Sequence, residues 1–149
     1  MNYAAMPSDL PANDAGEAGD IRVQLRRDHE RALQELEALR DERDERRCRD
    51  KLNHLRQAWV VHALAEESVV YRALEDVQWT ERADERFIEH ELVGGLFDKL
   101  GQARPGSLEW DARLNVIRDL IVHHIDGEHV DMFARLSKRF DAHGLAELG

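Results

Sequence analysis

The 149-residue sequence predicts an all-α fold, an up-down-up-down antiparallel bundle of four helices. Three observations predict it. Apolar residues recur at intervals of three and four along four long stretches, and no alternating β pattern competes. Three prolines and nine glycines are too few for a turn-rich β fold. Short polar segments separate the stretches, as in a bundle whose neighbouring helices are joined directly. The length suits one domain with a real core.

Residues 1–19 carry no apolar period and include Pro7, Pro11, Gly16 and Gly19, so they read as a flexible tail. The bundle is expected over 20–149. The first helix follows Asp20, a plausible N-cap, and places Ile21, Leu25, Ala32, Leu33, Leu36 and Leu39 on one stripe with His29. The segment 41–51 has five acids and five bases and reads as a solvated helix end or turn. The second helix aligns Leu52, Leu55, Ala58, Trp59, His62, Glu66, Val69, Val70 and Ala73. Thr80 is the expected cap of the third, which carries Phe87, His90, Val93, Gly94, Phe97 and Leu100 and closes at Gly101. A loop at 104–107 ends on Ser107, the expected cap of the fourth. That helix aligns Leu114, Ile117, Leu120, Ile121, His124, Glu128, Met132 and Leu136, with Gly144 near its end.

Composition excludes several classes. A net charge of -10 argues against non-specific nucleic-acid binding, which needs a basic surface. No run of 18 apolar residues exists to span a membrane, and the N-terminus has no signal-peptide pattern. The single cysteine, Cys48, permits neither an internal disulfide nor a thiolate cluster, which suits a reducing, cytoplasmic setting.

The eight histidines are the unusual feature. Each helix puts at least one metal-capable side chain on its apolar face: His29, then His62 and Glu66, then His90, then His124 and Glu128. The i, i+4 spacing of His62–Glu66 and His124–Glu128 stacks each pair on one face. Their depths agree as well. His29 and His62 have their midpoint at residue 45.5, the 62/66 pair and His90 at 77, and His90 and the 124/128 pair at 108. All three midpoints fall at or beside the expected turns, so the six side chains should share one layer. Burying them unpaired would be very costly, and a metal satisfies them together. His54, His123, His129 and His143 fall off this layer and are taken as non-ligands.

Imidazole plus carboxylate suits iron, zinc or manganese, and six ligands are too many for one catalytic zinc. They divide as His29 and His62 on one ion and His90 and His124 on another, with Glu66 and Glu128 bridging. No Glu stands three residues before any histidine, which excludes the ferritin-like Glu-x-x-His signature. The His-Glu-x-x-His zinc motif fails at Gly94.

The run Asp28-His29, His62-x-x-x-Glu66 followed by Glu67 and Tyr71, Glu89-His90, and His124-x-x-x-Glu128 resembles the hemerythrin-like (HHE cation-binding) family over about residues 21–140. The resemblance implies a centre of two non-haem iron ions, oxo- or hydroxo-bridged, that binds or reacts with O₂ or peroxide. Oxygen-carrying members have a further histidine where this chain has Gly94, and an Asp five residues after the fourth-helix histidine where Glu128 stands at four. The pattern is closer to bacterial and mycobacterial hemerythrin-like proteins, which implies peroxide-decomposing or redox-responsive behaviour rather than oxygen carriage. An alternative is a non-enzymatic O₂/redox sensor or iron-binding module acting through a partner protein. Gly94 should open space at one ion. Glu67, Glu91 and Tyr71 are candidate extra ligands, though ideal helix geometry turns each away. Tyr71 is expected to pack or to support a ligand from behind. No dedicated proton donor is evident near the layer.

Overall fold

A computed structural model of the chain describes residues 19–75 and 77–149; the tail expected over 1–19 lies outside them except for Gly19. Among the described residues the structure is helical throughout, without strands. Helix α1 spans Ile21–Asp41 and α2 spans Glu45–Ala65. A wide turn at Glu66–Val70 and the short α3, Tyr71–Ala73, continue α2. Helix α4 spans Val77–Gln102 and α5 Leu108–Gly127. A second wide turn at Glu128–Met132 leads into α6, Phe133–Arg139, and a separate α7 covers Ala142–Leu148.

The predicted caps at the starts of α1 and α5 form. Asp20 Oδ1 accepts from the Arg22 N–H at 2.9 Å, and Ser107 Oγ accepts from the Trp110 N–H at 3.1 Å. Three boundaries differ from the sequence reading. Helix α2 begins at Glu45, inside the 41–51 segment read as a solvated end or turn, with Asp44 as its cap. Helix α4 begins at Val77, so Thr80 lies inside its first turn rather than ahead of it. The last stretch does not run on to Gly144. Phe140 is extended (φ -123°, ψ 141°), which stops α6, and Asp141 caps the N-terminus of α7 through the Gly144 N–H at 2.9 Å. Helix α7 packs on α1.

Helices α1, α2, α4 and α5 make a bundle, with contacts between α1 and α2, α2 and α4, α4 and α5, and α5 and α1. The core is in two parts. Leu36, Leu39, Leu55, Phe97, Leu114 and Ile117 belong to the larger cluster. Ile21, Leu25, Val70, Trp79, Met132 and Leu136 belong to a smaller one. Burying each such side chain contributes about 1.5–3 kcal/mol. Between the two clusters lies a layer of polar side chains.

Candidate metal centre

The layer holds His29, His62, Glu66, His90, His124 and Glu128, all buried, with Glu66, His124 and Glu128 wholly so. The structure thus brings together all six residues singled out from the sequence. Ligating atoms of His29, His62, Glu66, His124 and Glu128 lie within 4.8 Å of one another, and His90 Nε2 stands 3.1 Å from Glu66 Oε2. The imidazoles form two pairs. His29 and His62 bring their Nε2 atoms within 3.2 Å, and His90 and His124 within 3.3 Å. Each carboxylate spans both pairs. Glu66 directs Oε1 to His62 (3.4 Å) and Oε2 to His90 (3.1 Å). Glu128 directs Oε2 to His29 (3.2 Å) and Oε1 to His124 (3.2 Å).

Both carboxylates start a wide turn. The Tyr71 N–H bonds to Glu66 O and the Phe133 N–H to Glu128 O, each one residue farther than in an α-helix. This extra residue corrects the ideal-helix geometry on which Tyr71 turns away from the layer. The wider turn swings it back, and its hydroxyl donates to Glu66 Oε2 at 3.3 Å and approaches Glu128 Oε1 at 3.5 Å. Its ring stacks 6.2 Å from His90. Burial and the two carboxylates push the phenol pKa far up, so the proton stays on the oxygen. A proton donor therefore does stand at the layer.

The other candidate ligands take different places. Glu67 lies behind the layer, with Oε1 2.8 Å from His90 Nδ1. Glu91 is exposed. A Cβ on Gly94 would meet nothing within 4 Å, as is also true of the exposed Gly95 beside it. His54, His123 and His143 are exposed, and His129 sits half-buried with its ring 5.8 Å from that of His29.

Two residues acting behind the imidazoles went unassigned in the sequence. Glu89 Oε2 lies 2.9 Å from His124 Nδ1, and Arg86 Nη1 donates to the same oxygen at 2.7 Å. Arg86 is buried against α5 where Gly127 lacks a side chain; a Cβ there would fall 2.7 Å from Arg86 Cζ and Nη1. The spacing of Arg86 and Glu89, three apart on one helix, was the available signal.

Electrostatics divide the layer. Burial lowers the pKa of His29 and of His62, with the neighbouring imidazoles adding to it. Burial also opposes charge on His124, but Glu128, Glu66 and Glu89 outweigh it and raise the imidazole to about 10. Burial pushes Glu66 up, yet His62, His124 and His90 hold it well below the usual carboxylate range. Glu128 goes the other way, raised by burial and by the Glu66 charge. Glu89 is held at about 2: the bonds from His124 and Arg86 overcome its partial burial.

A cation fits these residues. Glu66 Oε1 and Glu128 Oε2 are buried without a hydrogen-bond partner, at a cost that a bound ion would remove. Metal–nitrogen bonds of about 2.0–2.1 Å at tetrahedral or octahedral angles put ligand atoms about 2.8–3.4 Å apart. The two Nε2–Nε2 separations, 3.2 and 3.3 Å, fall in that range.

A helical bundle with a buried layer of four imidazoles and two carboxylates is the scaffold of a cation-binding protein. The model of the hemerythrin HHE cation binding domain matches residues 20–136. The chain belongs to that family. No curated protein and no solved structure matches it.

Proposed function

We propose that this domain holds two iron ions and binds or reacts with O₂ or peroxide. The observation that carries the reading is the bridging disposition of Glu66 and Glu128, each with one oxygen toward either imidazole pair. His29 and His62 would hold one ion, His90 and His124 the other, and the two carboxylates both. The consecutive helix contacts support an up-down-up-down arrangement that delivers these ligands at one depth.

Iron supplies redox change and open positions for a small oxidant. The chain supplies the rest. Trp59 floors the layer, its ring 5.4 to 5.6 Å from those of His62, His90 and His124. Val70, Ile121 and Met132 are fully buried in the two clusters that flank the layer, keeping bulk water out. Tyr71 holds a proton between the carboxylates, where oxidant oxygen gaining electrons needs one. A cleft of about 480 Å³, lined by both apolar and charged side chains, among them Leu64, Phe87, Glu67 and Asp84, reaches Tyr71 and offers a small oxidant a way in.

The test is metal analysis of chain purified without chelator from iron-replete cells, followed by peroxide decay. Two irons per chain, with decay lost in His62→Ala and Glu128→Ala, support the reading. Fewer than one metal per chain sinks it. Two irons with reversible oxygenation and no peroxide consumption would leave a binding or sensing module.

A further inference from the structure

A cleft of about 300 Å³ opens between α1 and α2 and ends on His29 and His62. Two cross-helix pairs of carboxylate and imidazole line it. At its outer end Glu35 Oε2 lies 3.2 Å from His54 Nδ1, and His54 is 68% exposed. At its inner end, the one nearer the layer, the half-exposed Asp28 places Oδ2 4.0 Å from His62 Nδ1. Asp28 and Glu35 are two turns apart on one face of α1, and His54 and His62 stand two turns apart on α2, so the pairs are about 10–12 Å apart along the helices. Among the described lining residues, two carboxylates stand against one guanidinium, that of Arg31.

The inner end also shows what the cleft delivers to. His29 and His62 are 2% and 5% exposed, line the cleft, and have Nδ1 atoms with no hydrogen-bond partner. No carboxylate hydrogen-bonds these Nδ1 atoms from behind, and the two rings are held by their mutual Nε2 contact and, for His62, by Trp59. We propose that this cleft is the loading port of the metal centre: Glu35 and His54 capture a divalent cation, and Asp28 receives it and passes it to His62 at the edge of the layer. The inference rests on the two-ion reading. Carboxylate and imidazole at both ends offer the cation the same donor types throughout, so each exchange replaces ligands with similar ones.

Uptake kinetics test the port. Full-length metal-free chain is mixed with Co²⁺, and loading is followed by cobalt absorption and by quenching of tryptophan fluorescence, with Trp59 lining the cleft. Glu35→Gln/His54→Gln should slow uptake about tenfold, the low end of what charge-guided access supplies. Final cobalt per chain and its spectrum should match wild type, since neither residue reaches the layer. The control is His143→Gln/Glu147→Gln, an exposed His–Glu pair of the same 3.2 Å separation on α7. Wild-type uptake rates in the Glu35/His54 variant, or equal slowing in the control, overturn the port alone. No cobalt uptake by wild type overturns the port and the two-ion reading together.

Discussion

His90 and His124 are held from behind; His29 and His62 are not. Glu67 and Glu89 accept from the outer nitrogens of the first pair at 2.8 and 2.9 Å, and Arg86 in turn steadies Glu89. The second pair has only Asp28, 4.0 Å from His62. A carboxylate behind an imidazole fixes its tautomer and orientation and raises its basicity as a ligand. The pinned half is therefore preorganised, but His124, raised to about 10, must give up a proton to a cation. The open half offers neutral imidazoles at once and must be ordered by what binds. One half is built to retain, the other to admit.

The largest expected effect erases the distinction. Glu66→Ala removes the carboxylate that faces both pairs, so elemental analysis should find less than one metal per chain. Retention of both ions would show that Glu128 alone joins the halves. The supporting carboxylates separate the halves. Glu89→Gln should weaken one ion about 10- to 100-fold in chelator competition, the usual cost of losing such a partner. Asp28→Asn, acting across 4.0 Å, should cost the other ion less than that. An equal or larger loss in Asp28→Asn would break the comparison.

A subtler probe is Gly127→Ala. The new Cβ meets the Arg86 guanidinium and displaces it, so losing its charged bond to Glu89 should cost about 1–3 kcal/mol in denaturant unfolding. The same change should speed metal release from the pinned half while leaving the open half unaffected. The smallest effect is on pH. In the metal-free chain Glu89 is depressed from 4.5 to about 2, so its contribution is complete above 4.5 and is lost as pH falls through about 2. Stability of wild type should drop over that window more than that of Glu89→Gln, in urea titrations at successive pH values. Identical curves would mean that the Arg86–Glu89–His124 chain carries no weight without metal.

What could be read in the sequence follows from how local each feature is. Asp20 and Ser107 cap from within their own turn, so their side chains announce the helix starts. The shared depth of the six polar residues was legible because straight helices convert residue counts into distance. The wide turns after Glu66 and Glu128 were not, since shifting one hydrogen bond by one residue leaves no composition signal. For that reason the direction of Tyr71 was not legible, although its role in supporting a ligand was. Glu89 sits beside His90 in sequence but serves His124 on another helix, a pairing that only helix rotation decides. The break at Phe140 had a signal in Asp141, a cap residue followed three positions on by Gly144.

The polar layer also lies across the whole cross-section, with one apolar cluster on each side. Without a cation it is a seam of buried polar groups in which Glu66 Oε1 and Glu128 Oε2 lack hydrogen-bond partners. An ion that binds only the folded state at 100 times its dissociation constant stabilises it by about 2.7 kcal/mol, or roughly a hundredfold in the open population. Cellular proteases act on that population. On the metal-binding reading, the lifetime of the polypeptide would rise with the metal supply, whatever chemistry the loaded centre performs.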